Sequence, residues 1–100
     1  MALTSKQRAH LKSLANQIPV IIQVGKGGVS ENLIHQIDTA LEARELIKIR
    51  FLQNVDDDPE ELAGALANET AAEVVQRIGK VAILYRPSKK DNPGKGGIAD

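Results

Sequence analysis

Cysteine is absent from these 100 residues, and with it go disulfides, zinc–thiolate sites and a thiol nucleophile. Tryptophan is absent too, and Phe51 and Tyr85 are the only aromatic residues. Two rings are too few for a sheet that stacks several bases side by side. The longest strongly apolar stretch, around Ile18 to Val24, is far too short to cross a bilayer. Met1 to Lys6 lack the apolar core of a secretion signal, so the expectation is a soluble, cytoplasmic protein with no membrane partner. Net charge is also missing, because thirteen bases balance thirteen acids.

That balance hides a segregation. Residues 1–30 carry Lys6, Arg8, Lys12 and Lys26 and no acid. Residues 31–79 carry four bases against eleven acids, and residues 80–100 carry five bases against two acids. A chain divided in this way can present one basic face on a neutral molecule, although a solvated surface with chance asymmetry has the same tally.

Local patterns predict one domain over residues 1–88 and a flexible tail over 89–100, where Lys, Asp, Asn, Pro and Gly dominate. Thr4 and Gln7 form a capping box, and Leu11, Leu14 and Ile18 follow at helical spacing up to Pro19. Arg8 and Lys12 share a face of that helix. Val20 to Val24 reads as a strand. From Ser30 a second helix carries the stripe Leu33, Ile34, Ile37, Ala40 and Leu41, ending near Arg44. Leu46 to Leu52 alternates, with Ile47, Ile49 and Phe51 on one side and Lys48 and Arg50 on the other. Strand, glycine turn, helix and strand together make a βαβ unit with parallel strands.

Asp58-Pro59-Glu60-Glu61 opens a third helix, with an acidic cap and proline in the first turn. Asn68-Glu69-Thr70 interrupts it, and Ala71, Val74, Val75 and Ile78 resume a helical stripe up to Gly79, with Thr70 and Glu73 as a further capping box. Val81 to Arg86 is a last strand stopped by Pro87. The expected fold is α+β, a two-layer sandwich in the order α-β-α-β-α-β, with helices packed on a small mixed sheet. Whether the first helix covers the second sheet face is left open by the pattern.

The chemistry concentrates at Gly25-Lys26-Gly27-Gly28, between the first strand and the second helix. Glycines permit positive φ and let another molecule approach the main chain. A helix beginning at Ser30 would present unpaired N–H groups and its positive dipole end beside Lys26, which favours an anion, usually a phosphate. The bland reading is a plain tight turn. The dinucleotide fingerprint through Gly25 and Gly27 fails at Ser30, where the third glycine belongs. Gly94-Lys95-Gly96-Gly97 repeats the tetrapeptide with no strand before it. His35 and Asp38 could touch on the second helix, but nothing completes a triad, and Asp56-Asp57-Asp58 lacks the spacing of a calcium loop. The expectation is no enzyme, no cofactor, no metal and no small-molecule substrate.

Taken in order, Leu3-Thr4-Ser5-Lys6-Gln7-Arg8, Pro19-Val20, Val24 to Gly28, Leu41 to Lys48, Gly79-Lys80 and Leu84 to Ser88 resemble the CRM domain, the family of the YhbY-like bacterial ribosome-associated proteins. The resemblance spans about residues 3–89 and implies a fold similar to the C-terminal domain of translation initiation factor three. It implies binding of RNA through the GxxG loop and, for a stand-alone bacterial member, association with ribosomal RNA in pre-50S particles during ribosome assembly. Gly25, Lys26, Gly27 and Gly28 carry over directly, with Ser30 at the helix start. Lys6, Arg8, Lys12, Lys48, Arg50 and Arg86 are basic where the fold could gather them beside the loop. Contacts would go mostly to phosphates and sugars. A monomer is expected. The alternative function is a protein-interaction module docking on ribosomal proteins or assembly factors. After Ser88 the chain departs from the apolar final strand expected of the family, and whether the tail adds a fourth strand is left open.

Overall fold

The computed structural model describes residues 3–53, 55 and 57–87; the tail expected over 89–100 lies outside them. Three helices and four strands follow one another: α1 (Ser5–Ala15), β1 (Val20–Val24), α2 (Glu31–Arg44), β2 (Leu46–Phe51), α3 (Pro59–Glu69), β3 (Glu73–Ile78) and β4 (Val81–Tyr85). The strands form one mixed sheet in the order β1-β2-β4-β3. β1 and β2 run parallel, as a strand–helix–strand crossover requires, while β2–β4 and β3–β4 are antiparallel. The fold is therefore α+β.

Alternation along the strands divides the core in two. Ile22, Val24, Ile47, Ile49, Phe51, Ala82 and Leu84 point to one face, where Leu33, Ile37 and Leu41 of α2 and Leu62, Ala63, Leu66 and Ala67 of α3 cover them. Leu46, Ile83, Tyr85 and Val75 point to the other, under Leu11 and Ala15 of α1. Helix α1 thus adds a partial third layer to the expected two. It lies over the end of the sheet where Leu46, Tyr85 and Glu73 pair across. The end marked by Arg50 and Val81 stays open.

The helix starts follow their local chemistry. Thr4 and Gln7 cap α1 reciprocally, Ser30 Oγ accepts from the Leu33 amide, and Asp58 Oδ1 accepts from the Glu60 amide with Pro59 in the first turn. Beyond α3 the structure corrects the sequence. Residues 71–78 do not resume a helix, and Glu73–Ile78 is the edge strand β3. The chain leaves α3 through a Schellman cap: the Ala72 amide donates to the Ala67 carbonyl at 2.8 Å and the Ala71 amide to the Asn68 carbonyl at 3.3 Å. Ala71 takes the left-handed φ of 57° that glycine usually supplies. The stop signal is thus hidden behind a residue that normally favours helix. Thr70 does not cap a new helix either, because its hydroxyl donates back to the Leu66 carbonyl at 2.7 Å. A bulge between Val74 and Gln76 breaks the alternation that would have marked a strand. Gly79-Lys80 then turns β3 into β4, with Gly79 at φ 56° in the first of the two turn positions.

Candidate nucleic-acid interface

Strands β1 and β2 both end, and α2 begins, at the same edge of the sheet, the usual place for a ligand in parallel strand–helix units. The base of the glycine loop is pinned there. The Leu52 amide donates to the Val24 carbonyl at 2.9 Å, and the Phe51 amide to the Lys80 carbonyl at 2.7 Å. Gly27 at φ 106° and Gly28 at φ 57° need glycine conformationally. Among the described residues, its two chain neighbours aside, no atom lies within 4 Å of where a Cβ on Gly27 would stand, so the main chain is open to a visitor there.

The loop amides are not all available. The Gly28 amide donates to the Gly25 carbonyl at 3.2 Å, closing the turn on itself. The Ser30 hydroxyl is occupied as acceptor for Leu33. Among the described residues no acceptor meets the amides of Lys26 and Gly27, both exposed. Two carboxylates flank this mouth. Glu31 sits in the first turn of α2, and Asp57 Oδ2 lies 3.5 Å from the Cβ position of Gly28. An anion would therefore meet the loop from the Lys26–Gly27 side, where the local charge is positive.

The sheet continues this surface. Gln23 precedes the loop by one strand residue, is exposed, and is in register with exposed Arg50 on β2. Arg50 is in register with Val81, and Val81 with Ile78. Lys48, half-buried, lies one step back on the same face, and exposed Lys80 stands in the adjoining turn. Lys26, Lys48 and Arg50 therefore stand on one continuous surface, as expected. Lys80 and Gln23, which were not among the expected RNA-binding residues, join them. Two apolar runs separated by Gly-Lys are the hairpin signal that would have located Lys80.

The other basic residues have different places. On α1, Lys6 is exposed and Lys12 half-buried, on the helix that borders the open half of the sheet. Arg8 is engaged internally: its Nη1 donates to the carbonyls of Val74 and Val75, each at 2.7 Å, at the bulge of β3. Arg86 is not part of this surface. It points to the face covered by α2 and α3 and is 4% exposed. Its Nη1 donates to Asp38 Oδ1 at 2.6 Å and to the Thr70 carbonyl at 2.8 Å. Its Nη2 donates to Glu42 Oε1 at 3.1 Å and to the Asp38 carbonyl at 3.2 Å. A planar fork with five donors suits such a many-sided tie between β4, α2 and the end of α3. The expected placement of Arg86 beside the loop is thus corrected.

Among the described residues, no group of three or more His, Asp or Glu is placed to share a metal ion, and no helix is long and apolar enough to cross a membrane.

Fold and surface together define a small α+β domain with one closed, acid-studded helical face and one open basic sheet end. Residues 3–86 match the CRS1 / YhbY (CRM) domain, and the chain belongs to that family. It is 48% identical over 89 residues to YqeI of Bacillus subtilis, named a probable RNA-binding protein, across 89% of this chain and 93% of that one. It is 34% identical over 88 residues to a protein of Haemophilus influenzae named an RNA-binding protein, covering 88% and 89% of the two chains. The solution structure of a hypothetical protein from Staphylococcus aureus, described as a candidate RNA-binding protein, superposes with a TM-score of 0.76 at 52% identity. That match covers 91% of this chain and 95% of the other.

Proposed function

We propose that this protein binds RNA by its sugar–phosphate backbone and acts on ribosomal RNA in precursors of the large subunit, as a non-enzymatic assembly factor in the cytoplasm. One observation carries the reading: the exposed Lys26–Gly27 turn at the start of α2 is continuous, through strand register, with Gln23, Lys48 and Arg50 on an uncovered sheet surface. Free amides and a lysine at a helix start hold one phosphate, and the sheet cations extend the footprint. Family membership and the RNA-binding names of the relatives support the RNA-binding part of this reading.

The test is the salt dependence of affinity for a folded ribosomal RNA fragment. Each neutralised phosphate contributes about −0.7 to −0.9 to the log–log slope, and Lys26→Ala is expected to reduce the slope by about one unit. Salt-independent binding would refute the proposal. In cells, Lys26→Glu is expected to release the protein from large-subunit precursors in a sucrose gradient. Retention of that variant after nuclease treatment would instead favour docking on a ribosomal protein.

A further inference from the structure

The open surface also limits the form of RNA it can take, an inference that rests on the RNA reading above. Both aromatic rings of the chain are sealed inside, Phe51 at 1% and Tyr85 at 2% exposure. The two histidines sit exposed on helices, His10 on α1 and His35 on α2, rather than on the open sheet. Single-stranded RNA without sequence preference is held by bases stacked on rings along a basic groove, and this sheet presents no ring to them. What it presents is a row crossing four strands: Gln23, Arg50, Val81 and Ile78, about 14 Å wide at normal strand spacing. Ile78 is 64% exposed, a large aliphatic side chain left on the surface beside Lys80. Cations border this row, with Lys26 in the loop past Gln23 and Lys80 in the turn past Ile78.

A polar-and-aliphatic strip between cations, on the face of a sheet, matches the minor groove of A-form RNA, which is wide and shallow and displays 2′-hydroxyls between its two phosphate ridges. Gln23, at the β1 end of the row, is suited to such a contact. Its amide both donates and accepts, as a 2′-hydroxyl does, and it has no partner among the described residues. We infer that the RNA is engaged as a double helix through its minor groove, with Gln23 hydrogen-bonded to a 2′-hydroxyl and Ile78 lying on the riboses. Lys26, Arg50 and Lys80 then meet phosphates on the ridges. Gln23 is thereby the residue that separates RNA from DNA.

The experiment compares three probes at one salt concentration by fluorescence anisotropy: an RNA duplex of about 16 base pairs, the DNA duplex of the same sequence, and an oligouridine of equal length. The RNA duplex is expected to bind tightest. Gln23→Ala is expected to weaken the RNA duplex about three- to tenfold, the effect of one lost neutral hydrogen bond, and to leave the DNA duplex unchanged. Its salt slope on RNA should equal that of the unaltered protein, because no cation has been removed. Oligouridine binding as tightly as the RNA duplex overturns the duplex assignment while leaving the phosphate-loop reading intact. Equal losses on RNA and DNA duplexes overturn the role of Gln23. Failure of every RNA probe to bind overturns both readings together.

Discussion

Arg50 and Arg86 are both strand arginines near the end of an alternating run, yet they have opposite fates. Arg50 points to the face that α1 leaves open, and its guanidinium reaches solvent. Arg86 shares the parity of Ala82 and Leu84, so it points under α2 and α3 and is held by two carboxylates and two carbonyls. The difference lies in the neighbouring layer and not in the residue. Burying a guanidinium is costly unless its donors find acceptors, and here both terminal nitrogens do while the buried Nε has no acceptor among the described residues; the four bonds make a tie that cannot be cut cheaply. An arginine over an uncovered sheet remains available to an incoming anion.

The sharpest way to break the contrast is to remove the buried arginine. Arg86→Met removes the buried guanidinium that bonds the Thr70 carbonyl, Asp38 and Glu42, and is expected to cost about 3 kcal/mol by urea unfolding. This lies at the lower end for a broken buried pair, because the Asp38 side chain is 52% exposed and can rehydrate. Salt slopes of RNA binding by the molecules that remain folded should not change. A loss below 1 kcal/mol would show that the tie is dispensable. Arg8→Ala removes two charge-assisted bonds to the β3 carbonyls and is expected to cost about 2 kcal/mol by the same measurement. Arg50→Ala should reverse the profile, with stability shifted by less than about 0.5 kcal/mol and RNA affinity weakened with a smaller salt slope. The smallest effect is a gain: Ala71→Gly, by relieving a left-handed φ, is expected to add about 0.5 kcal/mol.

The comparison also explains how far the sequence could be read. The Thr4–Gln7 capping box, the helical stripe of α2, Pro59 and the alternation of β2 are local signals that agreed with their surroundings, whereas the Thr70–Glu73 box was a local signal that the strand overrode. The glycine loop was legible for the same reason, since Val24, Gly25 and Ser30 mark its place without reference to the rest of the chain. Signals that depend on a distant neighbour were not. Val74 and Val75 fit a helical stripe equally well, and only the Ala71 cap and the bulge paired against β4 make them a strand. The closing of the Gly28 amide on Gly25 and the approach of Asp57 are likewise invisible in a linear reading. For Arg86 the information was present, because counting by twos from Ala82 leads to the covered face. Basic character alone outweighed parity.

The two rims of the sheet are finished differently. On β3 the Arg8 guanidinium occupies two main-chain carbonyls, whereas β1, which has a register irregularity of its own between Val20 and Ile22, carries no charged residue and no proline. Strand-on-strand stacking of many copies needs two receptive rims per molecule, and among the described residues the β3 rim has two of its carbonyls already taken by a side chain. A copy adding to that rim would have to displace Arg8, so the packing of α1 against the sheet also works against fibres.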